Sequence, residues 1–194
     1  MPQRIGREFF ERGALTVARA LLGQTLVRVT AQGETRGVIV ETEAYLGELD
    51  DAAHTYRGPS ERTRVAYGDS GCAYVYLVYG LHCCLNITAG APGVPEMVLL
   101  RALEPVGGLP LMAQRRGAQE ARLLCAGPGR LCRAMAVDRS LYGEDLCESG
   151  QLFVEYGAPP PHIAATPRIG VDYAEKCRGE PWRFIDTDSR FLSR

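Results

Sequence analysis

Apolar residues recur at helical spacing from Leu15 to Leu22, where Val17, Ala18, Leu21 and Leu22 fall on one stripe and Gly23 follows as a stop. The period then changes. Thr25 to Val29 and Gly37 to Tyr45 read as strands joined by a polar turn through Gln32, Gly33 and Glu34. From Gly47 to Gly71 no period survives, and the stretch carries Asp50, Asp51, His54, Arg57, Arg62 and Arg64. An irregular segment of that length inside a compact domain is usually functional. Tyr74 to Val78 and Leu81 to Thr88 are predicted strands with Tyr79-Gly80 between them, a hairpin signature. Met97 to Leu103 is a further apolar strand, and Pro110 to Leu124 and Pro128 to Val137 are predicted helices. Short apolar pieces at Leu152 to Val154 and Trp182 to Ile185, set among Pro and Gly, read as β and coil. Strands outnumber helices, and there is no βαβ rhythm, repeat or long linker. The expected fold is α+β: one domain over 1–194, with a mainly antiparallel curved sheet, surrounding helices and a protruding hairpin.

Composition narrows the class. The chain has 194 residues, 46% hydrophobic and 23% charged, which excludes disordered and fibrous classes and fits one domain with a sizeable core. No apolar run approaches the ~18 residues of a membrane span, and the start, Met1-Pro2-Gln3-Arg4-Ile5-Gly6, lacks the apolar stretch of a signal peptide. Seven cysteines, none in a C-x-x-C pair, fit neither a zinc site nor a secreted disulfide framework, so a reducing cytosol is expected.

The net charge of −1 argues weakly against nucleic acid until it is divided. Residues 55–67 hold Arg57, Arg62 and Arg64 against Glu61, an excess of two positive charges. Residues 101–133 hold six arginines against Glu104 and Glu120, an excess of four, while the rest of the chain is acidic. These stretches are either ordinary solvated positions or one basic face. Of the 22 basic residues only Lys176 is a lysine, so a mechanism needing a side-chain amine has a single candidate.

Candidate chemistry sits on two elements. Along Val38-Ile39-Val40-Glu41-Thr42-Glu43-Ala44-Tyr45, alternation puts Val38, Val40, Thr42 and Ala44 on one face and Ile39, Glu41, Glu43 and Tyr45 on the other. Two carboxylates on one strand face are either salt-bridged surface groups or, in a pocket, a source of a general base. In the hairpin, Tyr74, Tyr76 and Val78 point one way, while Val75, Leu77 and Tyr79 point the other. His82, Cys84, Asn86 and Thr88 share a face of the return strand. Tyrosine with asparagine suits a flat ligand with polar edges, such as a nucleobase, although Tyr-x-Tyr is also common in cores.

These residues carry a resemblance. Val40-Glu41-Thr42-Glu43-Ala44-Tyr45-Leu46-Gly47 with Asp51-Ala52-Ala53-His54, Tyr74-Val75-Tyr76-Leu77-Val78-Tyr79-Gly80 with Leu85-Asn86-Ile87, and Val98-Leu99-Leu100-Arg101-Ala102-Leu103-Glu104-Pro105 resemble the alkyladenine (3-methyladenine, methylpurine) DNA glycosylases. Gly127-Pro128, Leu131-Cys132, Arg168-Ile169-Gly170-Val171 and Arg183-Phe184 are weaker matches in the same order. The resemblance implies a monofunctional base-excision enzyme that flips alkylated or deaminated purines, of the 3-methyladenine, hypoxanthine and ethenoadenine class, from double-stranded DNA. It implies hydrolysis of the N-glycosidic bond by a Glu43-activated water, with Arg101 helping to hold that water and the nearby phosphate. Tyr45, Tyr76 and His54 would enclose the base, Asn86 would disfavour guanine's amine, Ile169 would offer a main-chain carbonyl, and Tyr79 would fill the vacated stack. No metal or organic cofactor is implied. A monomer in the cytoplasm is expected, and the lack of a counterpart to the family's long basic eukaryotic extension points to a bacterial-type enzyme. The loop Gly58-Pro59-Ser60-Glu61-Arg62-Thr63-Arg64, Ala66-Tyr67 and Ser70-Gly71 depart from the family pattern. A hydrolase of free nucleosides would have no use for Tyr79, and a non-catalytic damage binder none for Glu43.

Overall fold

The structure is a computed structural model that describes residues 3–193; Met1, Pro2 and Arg194 lie outside the described residues. Eight strands form one antiparallel sheet: β1 (Thr25–Thr30), β2 (Gly33–Tyr45), β3 (Ala73–Val78), β4 (His82–Ala89), β5 (Glu96–Gly107), β6 (Leu152–Glu155), β7 (Ile163–Thr166) and β8 (Arg183–Asp186). The order is β3-β4-β5-β2-β1-β6, and β8 bridges β2 to β7. The long β2 holds the sheet together. It pairs with β5 along one edge, while β1 covers the first half of its other edge and β8 the second. The sheet curls, and one side of it holds the main core with the helices, which confirms the α+β expectation.

The helices are α1 (Arg7–Phe10), α2 (Ala14–Ala20), α3 (Leu109–Arg116), α4 (Ala121–Leu124) and α5 (Pro128–Met135). Helix α1 is too short to leave a periodic signal and was not anticipated. The single helix expected over 110–124 divides, because Gly117 takes φ 64° and closes α3 with its N–H on Ala113 and Gln114 carbonyls. Leu85, Ile87, Leu100 and Leu103 from the sheet pack with Leu21, Met112, Leu131 and Met135 from the helices, all wholly buried. Each such side chain contributes about 1.5–3 kcal/mol through burial. No helix among the described residues is long and apolar enough to cross a membrane.

Strict alternation fails in β2. The β2–β5 register slips between Ile39 and Glu41 and again between Glu41 and Thr42. A bulge lets two successive residues of one strand face the same way. Ile39 therefore joins the main core with Ala44, while Val40 turns to the opposite side and packs on Ala102 and Phe191. The expectation that Ile39 shares the Glu43 face and Val40 the opposite one is thus corrected. The second slip skips Arg101 on β5 and leaves it beside the glutamates.

Candidate active site

The face of β2, β3, β4 and β5 turned away from the main core floors a cavity of about 400 Å³. Tyr74, Tyr76 and Val78 come from β3, Cys84 and Asn86 from β4, Met97, Leu99 and Arg101 from β5, and Tyr45 from β2; His54 and Ile169 arrive on loops. Each strand alternates, so the same strands send Val75, Leu85, Ile87 and Leu100 to the core. All eight residues singled out from the sequence either border this space or, for Glu43, lie directly beneath it.

Glu43 is wholly buried and well partnered. Its Oε1 accepts the Ile169 N–H at 2.7 Å and lies 3.2 Å from an Arg101 terminal nitrogen. Its Oε2 accepts the Tyr45 hydroxyl at 2.9 Å. A carboxylate offers about four lone-pair positions, so Oε2 keeps one for a further donor. Glu41 is different. Its Oε1 accepts Arg101 Nε at 3.0 Å, Arg183 Nε at 2.7 Å and the Ser193 hydroxyl at 2.8 Å, and its Oε2 accepts the Ser193 N–H at 2.6 Å. Glu41 is a structural carboxylate that ties β2 to β8 and the C-terminal strap. Arg101 bridges both glutamates, which offsets their repulsion. Burial lowers the Arg101 pKa, and Glu43 and Glu41 more than restore it, so the guanidinium stays charged.

The aromatic residues form two walls. The Arg168 guanidinium lies over the Tyr45 ring at 4.6 Å, and burial beside Glu43 pushes the Tyr45 hydroxyl well up, which keeps it a neutral donor. Tyr76 stacks on Tyr74 with centroids 5.3 Å apart, and His54 meets Tyr76 edge-on at 4.6 Å. His54 Nδ1 sits 3.0 Å from the Tyr74 hydroxyl; burial, aided by Arg62, pushes its pKa down to about 4, so the ring is neutral near pH 7. The Asn86 amide donates to the Tyr74 carbonyl at 3.4 Å. Ile169 is known here by its N–H on Glu43.

Tyr79 is 92% exposed at the hairpin tip, with φ 51°, followed by Gly80 at φ 69° and Leu81 at 79% exposed. Two successive positive φ values suit a tight turn that follows the strand twist. Tyr76 borders the cavity, and Tyr79 borders both this cavity and the neighbouring cleft.

The hairpin stands between two further clefts of about 660 and 700 Å³. Arg116, Arg122 and Arg130 line one, and Arg62, Arg64 and Arg139 line the other. Glu120 lies in the first cleft and Glu61 in the second, so each holds two more arginines than glutamates, and the expected basic face takes the form of two clefts beside the hairpin. Buried Arg101 does not belong to it, while Arg139 joins it from an otherwise acidic segment.

Sequence reading missed what lies behind the walls. Arg168 and Asp50 form a wholly buried pair, 118 positions apart, with contacts of 2.5 and 2.8 Å. Spacing carries no trace of it. Asp50, Asp51 and Cys177 lie close enough to hold a metal ion, but Asp50 is engaged by Arg168 and Asp51 accepts the N–H groups of Glu175, Lys176 and Cys177.

A sequence profile described as methylpurine-DNA glycosylase matches residues 8–190. A protein of Methanocella arvoryzae that carries the provisional name 3-methyladenine DNA glycosylase is 48% identical over 189 residues, covering 97% of this chain and 94% of its own. A protein of the same provisional name from Desulfitobacterium hafniense is 44% identical over 200 residues, with 98% of each covered. The DNA-3-methyladenine glycosylase of Mus musculus is 42% identical over 205 residues, covering 98% of this chain and 61% of the mouse protein. A match running through nearly every residue that builds the cavity, at such identity, leaves one conclusion: the chain is an enzyme of the methylpurine-DNA glycosylase family.

Proposed function

We propose that the protein removes alkylated or deaminated purines, of the 3-methyladenine, hypoxanthine and ethenoadenine class, from double-stranded DNA by flipping the base into this cavity. The observation that carries the reading is the free lone pair on Glu43 Oε2, in a carboxylate otherwise held by Ile169, Arg101 and Tyr45 at the floor of an aromatic cavity. A space of about 400 Å³ falls within the range of small-molecule sites, ~300–1,000 Å³.

A flipped purine stacks between Tyr45 and Tyr76 with His54 at its edge, and stacking offsets the few kcal/mol of unstacking. Tyr79 enters the minor groove and fills the gap, with the Arg-lined clefts on either side taking the phosphates. Glu43 accepts a proton from water as the water oxygen bonds to C1′ of the deoxyribose. The C1′–N9 bond breaks, and its electron pair leaves with the base. A purine cationic through N3 or N7 alkylation departs neutral, whereas a neutral lesion departs as its anion and takes a proton from solvent water. Arg101 holds Glu43 and the water, and Asn86 meets the purine edge where guanine carries its amine. All seven cysteines are free thiols, which supports action in a reducing cytoplasm, and the enzyme works as a monomer without metal.

Single-turnover assays on duplexes carrying hypoxanthine, 1,N6-ethenoadenine or 3-methyladenine test the reading. Base release from at least one is expected. A fully folded protein inactive on all of them, or one acting on free nucleosides and not on duplex, would refute it.

A further inference from the structure

Arg168 lies behind the cavity lining and touches no part of the open space, yet it contacts what the lining rests on. Its guanidinium packs over the Tyr45 ring at 4.6 Å and over the Trp182 ring at 4.9 Å. Asp50 grips it with both carboxylate oxygens, at 2.5 and 2.8 Å. It also donates to the Ala44 carbonyl at 3.1 Å and to the Cys177 carbonyl at 3.3 Å. Ala44 lies between Glu43 and Tyr45, and its N–H is in turn held by the Trp182 carbonyl at 2.8 Å. One residue beyond Arg168, the Ile169 N–H reaches Glu43 Oε1 at 2.7 Å. One side chain thus secures the strand segment Glu43-Ala44-Tyr45 from behind.

Stability alone is a poor account of this arrangement. Taking an ion pair out of water costs several kcal/mol per ion before the mutual attraction offsets it, and well-packed apolar residues often serve as well. The Arg168 Nε is moreover buried without a partner, a further cost. A planar fork does what an apolar side chain or a lysine cannot: it lies flat on two aromatic faces while its edge binds a carboxylate and two carbonyls.

We propose that Arg168, clamped by Asp50, is a positioning residue for base excision, fixing the Tyr45 ring through the stack it shares with Trp182 and fixing Glu43 through the adjoining Ile169 amide. The inference rests on the roles of Glu43 and Tyr45 given above. Displacement of either group by about 1 Å costs up to ~100-fold in rate. The guanidinium touches neither base nor water, so its effect falls on the chemical step and on lesion recognition, not on general DNA affinity.

The decisive variants are R168K, which keeps the charge and loses the plane, and R168M, which loses both. They are assayed in single turnover with saturating enzyme on a hypoxanthine duplex, with the active fraction taken from the reaction amplitude. For both, the expected result is a rate lowered about 10- to 100-fold, undiminished amplitude, wild-type affinity for undamaged duplex, and no recovery on cooling. A merely structural role lowers the amplitude and recovers on cooling. That outcome, or a wild-type rate for R168K, overturns the proposal. Should both variants fail to fold, the partly buried Trp182 provides the test: W182L is expected to slow excision and W182F, which restores a ring, to recover it. Equal rates for W182L and wild type overturn the proposal. Wild-type protein inactive on every lesion duplex would instead sink the functional reading beneath it, a separate result from active wild type with indifferent variants.

Discussion

Replacing Glu43 by Gln separates catalysis from folding. Glu43 Oε1 accepts Ile169 N–H and faces Arg101, while Oε2 accepts the Tyr45 hydroxyl. A glutamine fits with its carbonyl oxygen in the Oε1 place, which preserves the Ile169 and Arg101 contacts. Its amide group then meets the Tyr45 hydroxyl, which turns to accept. Arg101 keeps Glu41 as a charged partner at 3.0 Å. The stability cost is that of weakening three contacts that the carboxylate charge assists, at least about 1–3 kcal/mol, against a typical total of ~5–15 kcal/mol. The catalytic cost is larger. The amide cannot take a proton from water, and general-base assistance contributes about 10²–10⁴ in rate, equivalent to ~3–5 kcal/mol of barrier. Single-turnover excision from a hypoxanthine duplex measures the rate, fluorescence anisotropy measures lesion binding, and a thermal melt reports the fold. The expected pattern is a folded variant with lesion affinity intact and a rate reduced at least 100-fold. A folded variant cutting within about tenfold of wild type would show that Glu43 is not the base. Equal losses of lesion affinity and rate would make it an organiser of the pocket instead.

Glu41→Gln should reverse that emphasis. Glu41 accepts four hydrogen bonds, two of them from the charged Arg101 and Arg183, so its melting temperature should fall by more than that of Glu43→Gln, with a cost nearer 3–5 kcal/mol. Tyr79→Ala removes a side chain 92% exposed, so its stability should stay within about ±0.5 kcal/mol of wild type while its affinity for lesion duplex drops; unchanged affinity would exclude the wedge role. Replacing Arg122, Arg130 or Arg139 with Ala should lower the salt dependence of duplex binding by about one phosphate contact each, read as the slope of log K against log salt. His54 has its pKa lowered from 6.5 to about 4, so below pH 6.5 the unfolded chain binds a proton that the folded protein refuses. Its contribution to stability is complete above pH 6.5 and declines as pH falls towards 4, and His54→Gln should remove that part of the pH dependence of the melting temperature.

Much of this enzyme is written locally. Alternation in β3, β4 and β5 marks which side chains face the core and which face the cavity, because a pleated strand sorts neighbours with a period of two. Tyr76 and Asn86 could thus be placed on the pocket faces of their strands, whereas Arg101 entered only through the family resemblance. Local rules failed where local geometry departs from the ideal. The bulges in β2 and β5 exchange the faces expected of Ile39 and Val40, a left-handed turn carries Tyr79 at the hairpin tip, and Gly117 cuts a helix in two.

Other features had no local trace at all. Whether Glu41 or Glu43 is the free carboxylate depends on Ser193, which arrives from 152 positions away. Likewise, only chain closure brings Arg168 to Asp50 and behind Tyr45. The two arginine-rich stretches become flanks of one hairpin in the same way, although the whole chain carries a charge of −1. The sequence by itself determined the fold class, the cavity-facing residues and the family. The tertiary structure decided which carboxylate stays free and what holds it, because burial and ion pairing depend on groups far apart along the chain that meet only when the sheet curls.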